Sequence, residues 1–117
     1  MVQKAWLFMS ADYYPGVFMQ ERAMKEYCTQ NGIEVLGSTL SVHYGMADEG
    51  SIRMAMQKAV ENKCDCVMVA DYSLMRYSPK TYMELLSSYL EKGVTIYTLN
   101  QGDVFKTMPD AMRKRLG

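Results

Sequence analysis

The chain has 117 residues, of which 49% are hydrophobic, with thirteen Lys plus Arg balanced by thirteen Asp plus Glu. That length supports one domain with a core and excludes a multidomain assembly. The zero net charge excludes the global positive field that by itself drives binding to a phosphate backbone. Apolar runs such as Cys66 to Ala70 fall far below the roughly 20 residues that cross a bilayer, and the start lacks a basic region followed by a long apolar one. A cytoplasmic protein without membrane contact is therefore expected. Cys28, Cys64 and Cys66 are odd in number, lack C-x-x-C spacing and are accompanied by a single His. This favours buried thiols over a disulfide framework or a zinc site, so no metal or other cofactor is expected.

Residues 2–9, VQKAWLFM, form a mainly apolar run that reads as a first strand. Ser10-Ala11-Asp12 leaves it, and Tyr13 to Gly16 reads as a loop. From about Val17 to Asn31, apolar residues at helical steps (Phe18, Ala23, Met24, Tyr27, Cys28) predict a helix ended by Gly32. Ile33 to Leu40 predicts a second strand leading into a polar loop, Ser41 to Gly50. Ile52, Ala55, Met56, Ala59 and Val60 give a second helix with one buried face. Cys64 to Ala70, apolar except for Asp65, has the pattern of a central strand covered on both faces. Ser78-Pro79 opens a third helix that runs through Tyr82, Leu85, Leu86, Tyr89 and Leu90 to Gly93, and Val94 to Leu99 is a fourth strand. The twelve methionines, where they fall at helical spacing, are expected in the core.

Strands alternating with helices predict an α/β three-layer sandwich with a mainly parallel sheet of four to five strands in flavodoxin-like order. Residues 1–104 are expected to form this domain. Residues 105–117 then form an extension in which Pro109 starts a further, basic helix carrying Arg113-Lys114-Arg115. Working sites of such sheets lie beyond the carboxyl ends of the strands. That puts Ser10 to Asp12, Ser41 to Gly45, Asp71 to Ser78 and the turn Asn100 to Asp103 on one rim.

Position leaves two roles open for Ser10, a hydroxyl that caps a turn or one that attacks a phosphate. A phosphate-cradling loop is excluded, because no G-x-x-x-x-G-K pattern follows the first strand and Tyr13, Tyr14 and Pro15 are bulky or lack an amide hydrogen. Asp12, Asp71 and Asp103 lack the acidic pair after the first strand that a magnesium site in a phosphate-receiving domain requires, which favours Asp71 as a cap or solvated carboxylate. His43, with no second His or thiol beside it, reads as an exposed loop residue.

The order of motifs resembles the catalytic domain of the serine site-specific recombinases, the resolvase and invertase family. Ala5-Trp6-Leu7-Phe8-Met9-Ser10 is similar to the family's first strand, in which an aromatic residue and an arginine precede the nucleophilic serine. Gln20 to Gly32, QERAMKEYCTQNG, resembles the helix that opens with Gln and ends in Asn-Gly, and Asp65 to Ser78, DCVMVADYSLMRYS, resembles the central strand and its arginine-bearing turn. Gly93-Val94-Thr95-Ile96 resembles the closing strand. The resemblance implies DNA strand exchange through a phosphoserine at Ser10, with phosphate held by arginines rather than by metal. It implies Arg76 as a phosphate contact, Trp6, Gln20, Asp71 and Ser73 as binding residues, and DNA and a second recombinase-type chain in a homo-oligomer as partners.

Several positions depart from the family pattern. Phe8 stands where the arginine two places before the serine is usual, Glu49 falls near the arginine of the second helix, and Leu74 and Tyr77 fall on the two of the turn, leaving Arg76 one place away. Ser41 stands where an Asp is usual, and Arg53 lies within the second helix. The leading expectation is a recombinase-type domain with impaired chemistry, acting as a recombination-associated or protein-interaction module with Tyr13, Tyr14, Phe18, Tyr72 and Tyr77 as candidate surface. The alternatives are an active recombinase domain and a binder of small molecules or anions in the crevice at the strand ends.

Overall fold

In a computed structural model of the chain, the residues described are 3–11, 14–42, 49–70, 84, 87–99 and 102–103. In chain order they form β1 (Lys4–Ala11), α1 (Tyr14–Asn31), β2 (Glu34–Val42), α2 (Glu49–Glu61), β3 (Cys66–Val69), β4 (Thr95–Thr98) and β5 (Gly102–Asp103). Glu84 and residues 87–90 are helical, within the span expected for the third helix. The five strands are ordered β2-β1-β3-β4-β5, parallel throughout except for the β4–β5 pair. This is the mainly parallel, flavodoxin-like sheet anticipated from the alternation of elements.

Three boundaries differ from expectation in ways that bear on function. α1 starts at Tyr14 rather than Val17, because a proline in the first turn forfeits no intrahelical hydrogen bond and Pro15 therefore opens the helix rather than delaying it. β1 continues through Ser10 and Ala11, which pair in register with Ser41 and Val42. Ser10 thus belongs to the strand instead of leaving it, and Ser41 lies within β2 instead of starting a loop. Gly102–Asp103, read as part of a turn, pairs antiparallel with Thr98 and Tyr97 as the edge strand β5.

Alternation along β1 divides the core into two layers. Ala5, Leu7 and Met9 face α1 and pack with Val17, Met24, Cys28, Cys66 and Met68. Phe8 faces α2 and packs with Ile52, Ala55, Met56, Ala59, Val67, Val69 and Ile96, with Trp6 and Leu36 against this layer. Met24 and Met56 on the helices are fully buried, as helical spacing predicted, and so are Met9 and Met68 on the strands, whereas Met19 and Met54 are exposed. All three cysteines are buried free thiols, and burial pushes the Cys28 and Cys64 thiols above their ordinary pKa.

The helices end in a shared way. Ile33 N–H donates to Cys28 C=O, Cys64 N–H to Ala59 C=O and Val94 N–H to Tyr89 C=O, each bond spanning five residues. The residue just before each donor takes a positive φ: Gly32 at 66°, Lys63 at 57° and Gly93 at 80°. Gly32 and Gly93 adopt that conformation without a Cβ penalty, while Lys63 bears one of about 1–2 kcal/mol.

Candidate functional site at the carboxyl end of β1

Ser10 sits near the carboxyl end of β1 with its backbone held by a side chain from α1. The Ser10 N–H donates to Gln20 Oε1 at 3.1 Å, and Gln20 Nε2 donates to the Ser10 carbonyl at 2.7 Å. Among the described residues the β1–β3 register pairs run from Ala5–Cys66 to Leu7–Met68. Beyond them the Gln20 carboxamide, which has the donor and acceptor of a peptide group, does for Ser10 what a further strand residue would do. Gln20 reaches this position from within α1, three residues after Val17 and four before Met24, both fully buried against the sheet.

The alternation that sends Met9 toward α1 sends the Ser10 side chain to the opposite face, the one that carries Phe8. Two influences therefore meet at this residue from different layers: α1 holds its backbone, and alternation sends its side chain to the α2 face. Ser41, its register partner on β2, is buried at 5% exposure. Thr98, the last residue of β4, is fully buried. Ser10, Ser41 and Thr98 thus set three hydroxyls near the carboxyl ends of three strands.

Directly below Ser10 on that face the surface is apolar. Phe8 is 2% exposed and belongs to the layer with Ile52 and Met56, so the position two residues before the serine offers neither charge nor hydrogen bond. Arg53 on α2 is half-buried. Among the described residues no group of three or more His, Cys, Asp or Glu side chains is arranged to hold a metal ion.

Of the residues singled out from sequence, Ser10 and Gln20 are brought together. Trp6 is not: it lies four residues upstream on β1, about 13 Å along the strand. Its indole Nε1–H donates to Thr39 Oγ1 at 2.9 Å, and its ring lies over Gly37, where any Cβ would collide with it. Ala5 pairs with Val35 and Trp6 with Gly37, so Leu36 is the extra residue at the register shift. The extra residue of that bulge places the glycine where the ring needs room. Trp6 is accordingly an anchor between β1 and β2. Asp71, Ser73 and Arg76, with Asp12, His43, Leu74, Tyr77 and the basic 113–115 run, lie outside the described residues, as does the extension 105–117.

Sequence reasoning missed Gly37 and Thr39 as partners of Trp6 and the burial of Thr98. The Thr98 signal was present, since it falls two residues after Ile96 on a strand and shares its face. The partners of Trp6 carried no signal because the bulge breaks the simple period of two.

Other solved structures share this architecture. The amino-terminal catalytic domain of TP901-1 integrase matches with a TM-score of 0.75 at 16% identity, over 97% of this chain and 91% of that one. A resolvase family site-specific recombinase from Streptococcus pneumoniae matches with a TM-score of 0.75 at 17% identity, over 97% of this chain and 83% of that one. The carboxy-terminal catalytic domain of ISC1926 TnpA, an IS607-like serine recombinase, matches with a TM-score of 0.66 at 18% identity, over 82% of this chain and 69% of that one. No protein-family profile and no curated protein sequence matches the chain. The chain therefore has the fold of the serine recombinase catalytic domain.

Proposed function

We propose that this chain is a serine recombinase-type domain whose strand-cleavage chemistry is impaired and which acts as a DNA-recombination-associated or protein-interaction module. The observation that carries the reading is the burial of Phe8 in an apolar layer two residues before Ser10, on the same face of the sheet. In the chemistry that the fold's relatives suggest, the serine Oγ attacks a DNA phosphorus and forms a phosphoserine bond. The leaving 3′ oxygen takes up a proton, and extra negative charge gathers on the phosphoryl oxygens in the transition state. Cations lower that barrier, and each one lost costs about a hundredfold in rate by analogy with a single transition-state donor. An apolar Phe8 forfeits one such contact, and Glu49, Leu74 and Tyr77 in the family's other arginine positions forfeit more.

A second reading, an active recombinase domain with Ser10 as nucleophile and Arg76 on the phosphate, draws support from the Gln20 clamp. That clamp holds the serine backbone in one conformation, as a nucleophile requires. The two readings separate in a strand-cleavage trap using the purified chain and supercoiled DNA that carries its own flanking sequence. The impaired reading expects DNA association or partner binding without a covalent adduct. A serine-linked adduct at the DNA 5′ end that disappears in Ser10→Ala overturns it in favour of the active one.

A further inference from the structure

The outer side of β2 is an edge of the sheet, and among the described residues no strand pairs with it. Edge strands of soluble proteins are normally blunted by lysine, proline or inward-pointing charge, because their outward N–H and C=O groups accept any extended chain. β2 has nine residues, yet Glu34 at its start is its only charged one and it contains no proline. After the bulge, Gly37 to Val42 run in unbroken register with Trp6 to Ala11, so this stretch is regular enough to template another strand.

The side of α1 that overlooks this edge is also open. A groove of about 440 Å³ runs between α1 and β2, lined by Lys25, Cys28 and Thr29 on the helix and by Val35, Gly37 and Ser38 on the strand. Phe18 lies on the same helical stripe as Lys25 and Thr29, by the steps of seven and eleven residues that return to one face. It is 55% exposed, and Leu40 on the strand is 45% exposed. Both lie toward the same end of the edge, since Leu40 is the register partner of Met9 and Gln20, near Phe18, reaches Ser10.

We propose that a second copy of this chain pairs here, β2 against β2, antiparallel about a two-fold axis at Leu40. In that register Leu40 faces Leu40, Thr39 faces Ser41 and Ser38 faces Val42. No charge meets its like, and the exposed leucine is covered by its own symmetry mate. The self-complementarity of this uncharged stretch and the zero net charge of the chain favour a second copy over a charged peptide as occupant. The Phe18 stripes of the two α1 helices then flank the joined edges and enlarge the buried surface. The inference concerns assembly and stands whether or not Ser10 is active.

Sedimentation equilibrium of the full chain tests it, together with oxidative cross-linking. The wild type is expected to dimerise, and Leu40→Lys, which sets two ammonium groups against each other, to weaken the dimer about tenfold or more while leaving the circular dichroism, and the melting midpoint of the dilute monomer, unchanged. Leu40→Cys places two thiols within bridging distance across the axis and is expected to give a disulfide-linked dimer. Met54→Cys, more exposed but on α2, is expected to give none. A wild-type chain that stays monomeric at its highest soluble concentration overturns the proposal, even if it takes up an unrelated extended peptide at this edge. A dimer indifferent to Leu40→Lys that cross-links through position 54 instead of 40 also overturns it.

Discussion

The two faces of the sheet are built from the same alternation along β1 but hold themselves together differently. The α2 face is centred on an apolar layer, with Phe8, Ile52, Met56, Val67 and Ile96 packed together, and the Trp6–Thr39 hydrogen bond and the buried Ser41 and Thr98 lie around it. The α1 face is laced with polar ties. Gln20 clamps Ser10, the Tyr27 and Tyr97 hydroxyls meet at 2.6 Å with ring centroids 6.0 Å apart, and the Cys28 thiol lies 3.5 Å from Met68 Sδ. Ser10 is where the two schemes meet, its backbone held by the polar scheme and its side chain sent by alternation to the face of the apolar one. A serine positioned for chemistry and a floor stripped of charge can therefore coexist in one strand.

The largest effect should come from forcing charge into the apolar face. Phe8→Arg restores the cation that the resembling family carries but leaves it buried among Ile52 and Met56 without a partner. A loss of about 3–5 kcal/mol is expected, read from the urea midpoint. A variant as stable as the wild type would show that this layer tolerates charge and would break the contrast between the faces.

A smaller effect is expected from the polar side. Gln20→Ala leaves the Ser10 N–H and C=O without their side-chain partners, at a cost of about 1–3 kcal/mol. Amide exchange at Ser10 should quicken while that of Leu7, inside the three-strand pairing, stays slow. Equal acceleration at both amides would mean that the clamp stabilises the whole strand rather than its end.

The smallest effect at neutral pH belongs to the tyrosine pair. The hydrogen bond to Tyr27, followed by burial, raises the Tyr97 pKa from 10.0 to about 12. Because the folded state holds this proton more tightly than the unfolded one, the contribution is fully present below pH 10 and is lost as pH rises toward about 12. Tyr97→Phe should flatten the fall in stability over that alkaline window relative to wild type. An unchanged slope would remove Tyr97 from the polar scheme of the α1 face.

Much of this was legible in the residues. The β-α alternation and the apolar run at Cys66 gave away a parallel sheet covered on both sides, because a strand that cannot alternate must be buried twice. Gly32 and Gly93 marked helix ends because a left-handed turn favours a residue without Cβ, whereas Lys63 adopts the same turn without advertising it. Ser10 and Gln20 were both singled out, but their bond was not. A clamp between residues ten apart depends on how α1 docks, and no local period encodes that. The family resemblance grouped Trp6 with Ser10 as a site residue, yet a strand carries its residues apart at about 3.3 Å each, and the indole found its partners across the sheet on β2.

By itself, then, the sequence determined the class of fold, the order of its elements, the burial of its cysteines and the identity of the serine worth watching, because periodicity and the preferences of turn residues act locally. Only the tertiary structure decided that Ser10 lies inside the strand, that a glutamine amide from α1 holds its backbone, and that Phe8 is sealed beneath it. Those outcomes depend on where a strand stops pairing and which helix covers which face, and both are settled by contacts between residues far apart in the chain.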